Sequence, residues 1–118
     1  MPFVFNIPKG VPRATEAAVL KLAKRLEKAT QIKHPVPVFV TAMEVIPGAH
    51  DEHGNFWYCD SDNQCWISLA GLAKRSTVES TFAHEVAHYE QWRDGKPVQE
   101  RGIEVRARTL LKLAKAGK

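Results

Sequence analysis

The segment STFAHEVAHYEQW, residues 80–92, contains His84-Glu85-x-x-His88, two imidazoles one helical turn apart with a carboxylate between them. On a helix of about 3.6 residues per turn these histidines differ by about 40° in direction and lie about 6 Å apart along the axis. Two ring nitrogens can then converge on one zinc ion at about 2.0 to 2.1 Å. Glu85 lies about 60° round from His88, near enough to hold a water on the metal without ligating the metal itself. Val78, Phe82, Val86 and Tyr89 fall on the opposite side, so the helix has an apolar core face and a separate metal face. The chemistry such a set supports is metal-assisted hydrolysis.

A catalytic zinc normally takes three protein ligands and leaves a position for water. No His or Cys follows His88, so a third ligand on that side is a carboxylate: Glu90, Asp94, Glu100 or Glu104. The turn Asp94-Gly95-Lys96-Pro97 joins two helical patterns into an expected antiparallel hairpin, in which residues equally far from the turn lie side by side. The metal sits level with residue 86, roughly 10 Å back from Arg93 at about 1.5 Å per residue. Glu104 is about 9 Å beyond Val98 and matches that level, whereas Glu100 is only about 3 Å in and is the reserve candidate. Glu90 points away from the histidines. Asp94 stands where the metzincin variant His-Glu-x-x-His-x-x-Gly-x-x-Asp carries its last ligand, but Gln91 replaces the Gly that turns the chain there. The expected ligand set is His84, His88 and Glu104 with Zn2+ as the metal. Against it stands a plain account of Glu104 as a solvated carboxylate in register with Arg108.

The elements that must position these groups follow from periodicity. Val19, Leu22, Leu26 and Ala29 recur at helical spacing in ATEAAVLKLAKRLEKAT, with Lys21, Lys24, Arg25 and Lys28 forming a solvated face. After an irregular start, HPVPVFVTAMEVIPG reads as a strand, with Pro37 confining its first part to an edge or an irregular beginning. AHDEHGN is a polar loop, and FWYCDSDNQCWISLAG gives two short strands around a polar turn. Ser76 and Glu79 form a Ser-x-x-Glu capping box ahead of the His-Glu helix, and Gly95-Lys96-Pro97 ends that helix near Arg93. From Val98 onward the chain reads as helical again, with Ile103, Ala107, Leu110 and Ala114 on one face. Gly102 inside that stretch costs roughly 1 kcal/mol relative to Ala and marks a close approach or a local weakness. The order helix, small sheet, helix, helix is an α+β pattern.

With 118 residues and 44% hydrophobic content, the chain forms one domain over residues 1–118. It holds no apolar run long enough to span a membrane, and its start, MPFVFNIPKG, has neither the basic nor the apolar region of a signal peptide. A cytoplasmic, monomeric protein is expected. The net charge of +4 is spread along two helical segments rather than gathered into one aromatic-interleaved patch. Nucleic acid is therefore a secondary expectation as partner, and Trp57, Tyr58 and Trp66 read as hairpin packing rather than a base-stacking platform. Cys59 and Cys65 have a C-x5-C spacing that fits neither a zinc pair nor a redox pair. They are positioned to face each other across the hairpin, with two free thiols expected in a reducing compartment.

An N-terminal helix, a small mixed sheet, His-Glu-x-x-His on the next helix and a Glu on the one after it resemble the gluzincin zinc metallopeptidases. The single-domain size resembles the minigluzincins most. The resemblance covers most of the chain as an arrangement, and His84, Glu85, His88 and Glu104 as matched residues. It implies a zincin-like minimal catalytic domain and a zinc metalloendopeptidase acting on peptide or protein substrates, with Glu85 as general base. It further implies that substrate lies extended against an edge strand before the active-site helix, here CWISLAG, residues 65–71. Larger gluzincins carry Glu-x-x-x-Asp, whose Asp orients the first histidine; with Glu104 as the Glu, Arg108 takes that place and His84 lacks an identified partner. His53, Tyr58, Tyr89 and Arg101 are conceivable donors to an oxyanion, none of them singled out. The alternative is a non-catalytic or latent metal-binding domain acting as a regulatory or nucleic-acid-associated module, and Glu85 separates the two, because a structural site needs no base between its histidines.

Overall fold

A computed structural model describes residues 2–49 and 51–116; His50, part of the expected polar loop, lies outside the described residues. The elements in chain order are β1 (Phe3–Asn6), α1 (Arg13–Thr30), β2 (Val36–Thr41), β3 (Gly54–Cys59), β4 (Gln64–Ala70), α2 (Arg75–Arg93) and α3 (Ile103–Ala116). Three helices and one four-stranded mixed sheet make an α+β domain, as the sequence pattern predicts.

The sheet order is β1-β2-β4-β3. The N-terminal segment expected to be irregular is a strand: β1 pairs in parallel with β2, matching Phe3 to Val36, and α1 is the crossover between them. The Val36 N–H donates to Pro2 O on the β1 side. Pro37, which has no N–H, therefore turns its nitrogen towards β4, and β2 joins β4 only from Val38 onward. β4 is bonded on both sides, in parallel to β2 and antiparallel to β3. The expectation that residues 65–71 form the edge is corrected: the edge strands are β1 and β3, and β3 is the one beside β4.

Alternation assigns the two faces of the sheet. Val36, Val38, Val40, Phe56, Ile67 and Leu69 are buried beneath the helices together with Phe3, Leu22, Leu26, Phe82, Val86 and Leu110. Val4, Phe39 and Trp57 remain exposed on the other face. Trp57 stacks on Trp66 and its Nε1 donates to Ser68 Oγ at 3.2 Å, the packing role expected of those rings. Cys59 pairs in register with Gln64, and Cys65 with Tyr58. Adjacent positions point to opposite faces, so the two cysteines do not face each other and both are free thiols. Burial pushes the Cys65 thiol up to about 11.

α1 buries Val19, Leu22 and Leu26 and leaves Lys21, Lys24 and Lys28 in solvent. α2 ends at Arg93 as expected, but it begins at Arg75 behind Lys74, and no side chain caps it. Ser76 is thus already inside the helix and the capping box does not form. α3 begins at Ile103 rather than Val98. Residues 94–102 are a non-helical strap, and Gly102, at φ +82°, reverses it into α3. A Cβ at Gly102 would meet nothing within 4 Å, so this glycine serves the left-handed backbone and not a close approach. No helix among the described residues is long and apolar enough to cross a membrane.

Candidate metal centre

The middle of α2 projects His84 and His88 from its outward face, their rings 5.0 Å apart. Their Nε2 atoms turn towards one carboxylate: Glu100 Oε1 lies 3.1 Å from His84 Nε2, and Glu100 Oε2 lies 2.5 Å from His88 Nε2. The Nδ1 atoms point the other way. His84 Nδ1 is 3.0 Å from Glu104 Oε1, and His88 Nδ1 is 3.0 Å from Gln91 Oε1.

These contacts fix what each nitrogen offers. An ionised carboxylate only accepts, so a proton on His84 Nδ1 bonds Glu104 and, in the neutral ring, leaves Nε2, beside Glu100, as the lone pair. The Gln91 oxygen has the same effect on His88. In those tautomers each Nε2 lone pair faces one oxygen of Glu100, and groups that only accept hydrogen bonds need a cation between them, whether shared protons or a metal ion. Two imidazoles and a carboxylate are a donor set zinc takes.

Glu85 completes the arrangement. It is 2% exposed, and its Oε2 is buried without a hydrogen-bond partner. Burial pushes its carboxyl up to about 8, with the nearby charges of Asp51 and Glu100 acting in the same direction. Its oxygen and the two histidines offer ligand atoms within 4.8 Å of one another. A buried carboxyl oxygen without a hydrogen-bond partner, beside two imidazoles, is uncommon in a residue that only packs. β3 closes on it tightly: a Cβ at Gly54 would stand 2.4 Å from Thr81 Cγ2 and 3.4 Å from Glu85 Oε2. The histidines and Glu85 open onto a cleft of about 360 Å³, walled by Asn55 and Phe56 of the β3 edge on one side and by Val98, Gln99 and Glu100 of the strap on the other.

Of the four carboxylates weighed from sequence, Glu100 is the one shared by both Nε2 atoms. Glu104 does reach the site, but at the outer nitrogen of His84. Glu104 was expected level with the histidines from a second helix starting at Val98; the helix starts at Ile103 and the strap also brings Glu100 over α2, so both carboxylates reach the pair. Glu90 is turned away and receives two bonds from Arg106, at 2.7 and 2.8 Å. Asp94 pairs with Arg93 at 3.0 Å, which holds its carboxyl below the ordinary range.

The conceivable oxyanion donors do not line the cleft. Tyr89 is fully buried on the core side, its hydroxyl 3.0 Å from His34 Nε2, and burial pushes it up to about 12. Tyr58 is exposed and stacks on Phe56. His53 lies beside Glu52 at 3.7 Å. Arg101 borders a different depression, with Glu90 and Arg106. Sequence reasoning missed Asp51 and Asn55, which line the cleft from the polar loop and the strand edge; nothing local in the sequence marks either. It also passed over Gln91 as a ligand-shell residue, noting only the glycine it replaces. No protein family, no characterised protein and no solved structure matches the chain.

Proposed function

We propose that the protein is a zinc-dependent metallopeptidase of gluzincin type, with His84, His88 and Glu100 as metal ligands and Glu85 as general base. The observation that carries this reading is that both Nε2 atoms converge on Glu100 while both Nδ1 atoms are tied to outer acceptors. Outer hydrogen bonds of that kind orient ligand imidazoles and raise their basicity. Taking Glu100 as the third ligand also realigns the family pattern. The residue four positions on is then Glu104, whose carboxylate orients the first histidine where larger gluzincins use Asp. The stretch from His88 to Glu100 is shorter than from His88 to Glu104, so this domain departs further from those enzymes in length.

Zinc, when bound, supplies a Lewis acid and lowers the pKa of the water it holds towards 7. The chain supplies the rest. Glu85, 2% exposed and with one oxygen free of hydrogen bonds, takes a proton from the attacking water and delivers it to the departing amine. Exposed backbone groups of the β3 edge pair with an extended peptide, the β-augmentation that a sheet edge offers. Phe56 and Val98 on opposite walls exclude water around the scissile bond.

A structural zinc site gains nothing from Glu85, whose buried and unpartnered oxygen costs stability. This favours an enzyme over a binding module. The test is peptide cleavage by zinc-loaded wild type beside Glu85→Gln, with metal content measured on both. Cleavage that disappears while zinc is retained supports the reading. Equal cleavage by the variant, or no stoichiometric zinc in the wild type, overturns it.

A further inference from the structure

We propose that Gln91 is a positioning residue of the metal centre: its amide is locked by the backbone of Gln99 and thereby sets both the His88 tautomer and the placement of Glu100. The proposal rests on the ligand assignment above, although the hydrogen bonds behind it stand independently. The Gln99 N–H donates to Gln91 Oε1 at 3.1 Å, and Gln91 Nε2 donates to Gln99 O at 3.2 Å. A backbone N–H can only donate and a backbone carbonyl can only accept. An amide flipped end for end would set donor against donor and acceptor against acceptor, so its orientation is dictated by chemistry rather than by choice.

That orientation decides the next link. Gln91 sits three residues after His88 on the same helical face, and its fixed oxygen meets His88 Nδ1 at 3.0 Å. An oxygen that already accepts from Gln99 requires Nδ1 to be the donor, which in the neutral ring puts the lone pair on Nε2, aimed at Glu100. The same amide acts on the strap. Gln99 precedes Glu100, and among the described residues the two bonds to Gln91 are those that tie the backbone of residues 97–102 to α2. Gln99 and Glu100 are exposed, so burial does little to hold them. One side chain therefore prepares two ligands on two different segments.

The test reads metal-free wild type first. Nitrogen-resolved NMR with the ring neutral should find His88 protonated at Nδ1, and amide exchange should find the Gln99 N–H slowed relative to a free peptide. Gln91→Leu should lose both signatures and bind zinc about 10- to 100-fold more weakly. Gln91→Glu, which keeps the accepting oxygen, should preserve the tautomer. A wild-type His88 protonated at Nε2, or a Gln99 amide exchanging at the free rate, overturns the proposal even if Gln91→Leu fails to fold. So does a folded Gln91→Leu with unchanged zinc affinity. A wild type that binds no zinc but shows both signatures would sink the ligand assignment while leaving the Gln91 clamp in place.

Discussion

Glu85 and Glu90 are two buried glutamates on one helix, and their surroundings are opposite. Glu90 is 9% exposed and gripped at both oxygens by Arg106, an ion pair that fastens α2 to α3. Glu85 is 2% exposed and has a buried carboxylate oxygen without a hydrogen-bond partner. A fold selected only for stability would satisfy or remove the second group, since an unpartnered buried carboxylate costs more than an apolar side chain of similar size. The first glutamate belongs to architecture, and the proposed function gives the second its chemistry. The helix carries both because its faces are separate, one towards α3 and one towards the cleft.

The largest expected effect breaks the comparison on the chemical side. Glu85→Gln should lower the rate of peptide cleavage by about 10²- to 10⁴-fold, the contribution typical of a positioned acid or base, with zinc content unchanged.

The same substitution should sharpen the contrast in stability. With the Glu85 carboxyl raised from 4.5 to about 8 in the folded state, the native protein holds more protons than the unfolded chain between those values. Its contribution is fully present below the unfolded pKa and is lost as pH rises towards 8. Metal-free wild type should therefore lose on the order of a few kcal/mol relative to Glu85→Gln between pH 4.5 and 8. Thermal melts of both proteins across that range check it, and parallel curves would contradict the burial argument.

Breaking the structural glutamate should do the reverse. Glu90→Ala should cost about 1 to 3 kcal/mol in denaturant unfolding, tempered by the half-exposed Arg106, while leaving the pH dependence due to Glu85 intact. Gly54→Ala should cost a similar amount, about 1 to 3 kcal/mol as overpacking does, because its Cβ would press on Thr81 and on Ser68 O beside Glu85. A rise in stability there would mean that β3 does not close on the base as described.

The fold was legible wherever the signal was local. Leu22 and Leu26 mark α1 by their period, Gly95 and Pro97 stop α2, and the aromatic runs around Asp60–Asn63 make the hairpin. β1 was not legible, because four of the five residues between Pro2 and Pro8 become a strand only through parallel pairing with β2, a contact distant in sequence. The central place of β4 is hidden for the same reason. At the site, the two histidines and Glu85 were visible in the spacing, but the choice among carboxylates was not. The approach of Glu100 depends on Gly102 adopting a left-handed backbone, which delays α3 and carries Glu100 over the histidines. A helical pattern that continues unbroken through 98–102 does not reveal where the helix begins. Nor does a sequence reveal that an oxygen is left without a partner, since that is a property of everything packed around it.

The central claim is that Glu100 holds the metal while Glu104 only orients His84. Zinc affinity of Glu100→Ala measured beside Glu104→Ala tests it most directly. The geometry predicts that Glu104→Ala binds zinc about 10- to 100-fold more weakly than wild type, as expected for an outer hydrogen bond, and that Glu100→Ala loses far more. Near wild-type affinity in Glu100→Ala, with zinc lost in Glu104→Ala, would contradict it.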